Sequence, residues 1–62
     1  MKIKILSVSK YFRTHHLIKV GQIYNVERYD EDLGKDGDLK GYLIKTKKKT
    51  FITMYINEVE AA

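Results

Sequence analysis

The chain reads as a small, mainly β domain, and three features predict that class. Short runs rich in isoleucine, valine, threonine and tyrosine recur along it, turn-forming glycine, aspartate and lysine clusters separate them, and a helical period is nearly absent. With 62 residues it forms a single domain over 1–62. A chain of that length buries only about 60% of the surface its unfolded form exposes. It contains no cysteine, which excludes a disulfide, a thiolate metal site and a cysteine nucleophile. Stability then rests on packing, with self-association as a further source.

Residues 2–8 predict the first strand. Ile3 and Ile5 alternate with Lys2 and Lys4, but the apolar phase slips to Leu6 and Val8. A one-residue slip turns the buried face outward, so a bulge or sharp bend is expected near Leu6-Ser7, as in small barrels where one strand serves two sheets. The opening Met1-Lys2-Ile3-Lys4-Ile5-Leu6 starts like a secretory signal, but Ser7, Ser9 and Lys10 cut the apolar run short. A strand in a cytoplasmic protein is the expectation, and no run is long and apolar enough to span a bilayer.

Ser9 to Lys19 has no clean period yet is too apolar for a linker. It predicts an ordered excursion folded back on the barrel, anchored by Tyr11 or Phe12, with a short helical turn as the alternative. Val20 to Tyr29 is the clearest strand: Gly21 marks its start, and Val20, Tyr24 and Val26 share one phase while Asn25 and Glu27 take polar positions. Asp30 to Lys40 is acidic and carries Gly34 and Gly37, which predicts a surface loop.

Gly41 to Ile56 predicts a hairpin whose register depends on its lysine turn. A two-residue loop would want Asn-Gly or Asp-Gly, and Lys48-Lys49 substitutes poorly. A three-residue loop, Lys47 to Lys49, aligns Tyr42 and Ile44 with Ile52, Met54 and Ile56 on the inner face. Phe51, Thr53 and Tyr55 then join Lys45 on the outer face. That register is preferred because it collects the aliphatic side chains inside. Asn57 to Glu60 predicts a turn or short 3-10 segment, with Val59 closing the bottom of the core.

Four to five short antiparallel strands of this kind predict a partly open SH3-like barrel with a short 3-10 or helical turn. The pattern Val20-Gly21-x-x-Tyr24-x-Val26, an acidic loop, Gly41-Tyr42-x-Ile44, then Tyr55-Ile56-Asn57-Glu58-Val59-Glu60 resembles small uncharacterised SH3-like β-barrel proteins encoded by phages and mobile elements of Gram-positive bacteria. The likeness covers roughly residues 20–60, and its motifs are structural. It implies a compact binding protein acting on a host protein in the host cytoplasm. The histidine-containing segment 10–19 departs from that pattern.

The formal net charge is +4, unevenly spread: residues 1–28 carry +5, residues 29–38 carry −4 and residues 39–56 carry +5, with Glu58 and Glu60 closing the balance. A basic body interrupted by an acidic stretch differs from the uniform basic surface of nonspecific nucleic-acid binders.

No residue pattern here carries recognisable chemistry. In an extended strand His15 and His16 would point to opposite faces, and zinc would need carboxylates from a distant loop, so no metal is expected. Read as a calcium loop from Asp30, the chain places Gly34 fifth, Lys35 sixth and Gly41 twelfth, and the match fails. Gly34-Lys35-Asp36-Gly37 superficially matches a KH-type phosphate clamp, but Asp36 and its acidic neighbours would repel phosphate. No nucleophile–base spacing stands out, and neither enzyme activity nor a cofactor is expected.

What remains is surface. Seven aromatic side chains, five of them tyrosine, cannot all lie inside so small a barrel. Tyrosine is favoured at interface cores, so a partner surface or a homodimer seam is the expected sink for them. The leading expectation is a nonenzymatic protein that inhibits or modulates a host protein by covering a functional surface. Tyr11, Phe12, His16, Tyr29, Phe51 and Tyr55 would supply contact, while Asp30, Asp32, Asp36, Lys47 and Lys48 would supply steering. The alternative is nucleic-acid binding through the Lys45–Lys49 hairpin and nearby aromatics, a mode in which bases stack beside a cationic groove. A third is capture of a nucleotide signal between protomers.

Overall fold

Ile3 and Ile5 point inward and are fully buried while Lys2 and Lys4 face water, so the alternation at the N-terminus makes strand β1 (Lys2–Ile5). The computed structural model describes all residues, 1–62. Four further strands follow: β2 (Ile23–Leu33), β3 (Leu39–Lys45), β4 (Phe51–Tyr55) and β5 (Val59–Ala61). A short helix α1 (Lys10–His15) joins β1 to β2, and a 3-10 turn at Ile56–Glu58 joins β4 to β5. All pairings are antiparallel, and the strands form one open sheet in the order β4-β3-β2-β1-β5. The expectation of a mainly β domain of four to five antiparallel strands holds, with five strands in one open sheet. The edges β4 and β5 do not pair with each other.

The phase slip after Ile5 is absorbed where β1 ends. The amides of Leu6 and Ser7 both donate to the Glu58 carbonyl, at 2.8 and 3.1 Å, two residues set against one as in a bulge. The strand shared between two halves is instead β2. Its Ile23–Asn25 end pairs with β1, and Val26 onward pairs with β3. Register shifts between Val26 and Arg28 and between Asp30 and Leu33 bend it. The first shift keeps Val26 against the core and sets Tyr29 opposite Tyr42.

Two boundaries correct the sequence reading. Val20 is 64% exposed in the turn with Gly21, outside the strand, because the chain enters β2 only after the Gly21 amide has bonded to the Ile5 carbonyl. Asp30 to Lys40 is not one loop. β2 continues through Leu33 and β3 begins at Leu39, leaving only 34–38 as the turn. Pairing of Asp30 with Gly41 and of Leu33 with Leu39 carries β2 through this acidic stretch despite the low strand preference of Asp30 and Asp32.

The excursion takes the helical alternative. The Ser9 side chain caps α1 by accepting from the Phe12 amide at 3.2 Å, and Leu17, in the left-handed region at φ 58°, follows its C-terminal end. Phe12 packs against the core and Ile18 drops fully into it, so these two side chains tie the segment down. The hairpin adopts the three-residue register: Ile44 opposes Ile52 and Tyr42 opposes Met54 across Lys47–Lys49. Ile56 departs from its expected inward position, because the 3-10 turn rotates it to 46% exposure. The core is Ile3, Ile5, Ile18, Tyr24, Ile44, Ile52, Met54 and Val59.

Candidate functional site

The outer face of β3 and β4 carries exposed aromatic side chains on adjacent strands. Lys45 opposes Phe51, Leu43 opposes Thr53 and Gly41 opposes Tyr55, all on the side away from the Ile44–Ile52 pair. Phe51 is 57% exposed and Tyr55 37%, while Leu43 and Thr53 are half-buried between them. The Lys45 Nζ stands 5.9 Å from the Phe51 ring centre, a cation–π distance. Gly41 is required by close approach. A Cβ there would lie 2.8 Å from Thr53 Cγ2 and 2.9 Å from the Met54 carbonyl oxygen, and Leu33 Cδ1 closes over it at 3.2 Å. The space over Gly41 is taken by the side chains of Thr53 and Leu33.

At the end near residues 34–38 the face opens into a groove of about 370 Å³, lined by Asp38, Leu39, Lys40, Tyr55, Ile56 and Asn57. Next to the groove, the Glu58 carboxylate accepts from the Tyr55 amide at 3.0 Å and ties the 3-10 turn to the end of β4. Of these residues only Tyr55 was singled out by the sequence reading. The signal for the others was present: extending the Ile44–Ile52 register by equal steps brings Leu39 beside Asn57 and Lys40 beside Ile56.

At the opposite end the lysine turn is held by a hydroxyl cluster. Thr46 is buried, and its Oγ1 accepts from the amides of Lys48 and Thr50 at 3.2 and 3.3 Å and shares a 2.8 Å hydrogen bond with Thr50 Oγ1. His16 Nδ1 lies 3.1 Å from the same Thr50 oxygen, which latches the end of α1 to the hairpin. Lys47, Lys48 and Lys49 are therefore displayed on a fixed turn. Lys49 itself sits in the left-handed region at φ 64°.

The six expected contact residues do not form one patch. Phe51 and Tyr55 share the outer face. Tyr29 lies on the inner phase, with its ring 5.2 Å from Tyr42. Tyr11 is 60% exposed on α1, its ring 4.4 Å from His15, whereas Phe12 is turned to the core and His16 to Thr50. Of the charged residues, Asp30 is engaged by Arg28 Nε at 2.9 Å, an exposed pair of small energetic weight. Asp32 is exposed on β2, Asp36 on the loop, and Lys47 and Lys48 on the turn. No group of three or more histidine and acidic side chains is arranged to hold a metal ion. Burial pushes the pKa of the Tyr24 hydroxyl up while it donates to Gln22 Oε1 at 2.7 Å.

Comparison with known proteins finds no matching family model, no matching curated protein and no matching solved structure. The functional reading therefore stands on the geometry above.

Proposed function

We propose that this chain is a nonenzymatic binding domain that acts by laying the outer face of β3 and β4 over a functional surface of a partner protein. The observation that carries the reading is the exposure of Phe51, Tyr55 and Ile56 beside a groove, on a face with lysines at one end and carboxylates at the other. Exposed aromatic and aliphatic side chains on a rigid sheet supply desolvation energy, and the flanking charges steer and orient the partner. The resemblance seen in the sequence points to a host protein of a Gram-positive cell as the partner class, with inhibition or modulation as the outcome.

Affinity capture from a nuclease-treated Gram-positive lysate tests the reading. A retained protein that is lost with Phe51→Ser plus Tyr55→Ser supports it, and material released by nuclease alone counts against it. The Lys45–Phe51 pairing beside the lysine turn favours a second reading, single-stranded nucleic acid stacked on Phe51. That reading requires a gel shift that weakens steeply with salt and with Lys47→Glu plus Lys48→Glu.

A further inference from the structure

We infer that β4 is a self-pairing edge, joining antiparallel to the same strand of a second copy across a two-fold axis at Thr53. β4 has a single strand neighbour, β3, and its other side is a sheet edge. The Thr46 amide donates to the Thr50 carbonyl at 2.8 Å. In an antiparallel ladder that phase repeats at Ile44–Ile52 and Tyr42–Met54, so the backbone groups of Phe51 and Thr53 point away from β3. The Tyr55 amide is taken by Glu58, which leaves the Tyr55 carbonyl as acceptor.

The devices that keep sheet edges from pairing are missing along this strand. Thr50 to Asn57 contains no charge, proline or glycine, and β4 reads Phe-Ile-Thr-Met-Tyr. The other edge, β5, is three residues long with Glu60 at its centre, a poor template by the same criterion.

Charge selects a second copy as the occupant and antiparallel as the direction. Lys45, Lys47, Lys48 and Lys49 put +4 at the hairpin tip, whereas Asp30, Glu31, Asp32, Asp36 and Asp38, offset by Lys35 and Lys40, put −3 towards the opposite end of the same sheet. A two-fold axis at Thr53 sets Phe51 against Tyr55 of the second copy and brings each lysine turn to the acidic end of its neighbour, twice over. Parallel pairing would set like charge beside like. The contact is self-complementary, as an isologous dimer requires, and adds two Phe51–Tyr55 pairs on the outer face. The inference does not depend on the identity of any other partner.

Sedimentation at rising concentration in low salt, on the full chain, tests it. The expected result is a species of twice the 7.3 kDa chain mass whose dissociation constant rises about tenfold or more with Lys47→Glu plus Lys48→Glu. Adding Asp36→Lys plus Asp38→Lys to that variant restores the dimer. Thr53→Lys, which sets two lysines face to face on the axis, yields a monomer with an unchanged β spectrum; if it fails to fold, the turn variant decides, because Lys47 and Lys48 are exposed. A chain that stays monomeric at about 1 mM, or a dimer indifferent to the charge reversals, overturns the inference.

Discussion

Two single residues carry measurable departures from easy geometry. Lys49 occupies a left-handed conformation that costs a side-chain-bearing residue about 1–2 kcal/mol, in a loop type whose last position usually holds glycine. Lys49→Gly removes that strain, offset by the extra freedom glycine gives the unfolded chain. A net gain of about 0.5–1 kcal/mol in a urea titration is expected, with no change in slope. Tyr24 gives a pH dependence instead. Burial raises its folded pKa above the ordinary 10.0, so the folded state holds its proton longer than the unfolded chain does. The associated stability is complete below pH about 10 and falls as pH rises beyond it. Tyr24→Phe flattens this alkaline loss, while the missing hydrogen bond to Gln22 costs about 1 kcal/mol at neutral pH. Neither feature was legible in the sequence, since a left-handed lysine and a buried phenol are consequences of register and packing.

At the scale of elements, the segment between β1 and β2 depends on few attachments. Phe12 and Ile18 reach the core, and His16 reaches Thr50. A helix of six residues is far too short to persist alone. Ile18→Ala opens a cavity and is expected to cost about 2–4 kcal/mol, a large share of what a domain this size holds. Hydrogen exchange would show α1 amides losing protection before those of β3; equal protection in both would mean that α1 is anchored by other contacts. No periodicity reveals this helix in the sequence, because six residues are under two turns. The β3–β4 hairpin was readable for the opposite reason: Ile44, Ile52 and Met54 fit one face in only one register. The acidic arm of β2 was hidden, because strand preference argues against Asp-Glu-Asp and only pairing with β3 overrides it.

At the scale of the molecule, the eight-residue core lies under the inner face of β3 and β4 and leaves Phe51 and Tyr55 exposed on the outer one. The radius of gyration, 10.9 Å, is close to the roughly 10.5 Å expected for a compact chain of this length. The sequence identified Phe51 and Tyr55 as members of one face but scattered the remaining contact residues. Aromatic content alone does not say which rings are consumed by packing, and here Tyr24, Phe12 and Tyr42 are.

β1 sits between β2 and β5, with Ile3 opposite Ala61 and Ile5 opposite Val59. The two ends of the chain are thus spatial neighbours, and completing the sheet closes a loop over nearly the whole chain. Contacts that distant in sequence are entropically slow to form, and all-β domains dominated by them fold on the millisecond-to-second scale. Until Val59 is in place, Ile5 lacks its cross-strand neighbour and the first strand is half-clad, open to capture by other unfinished chains.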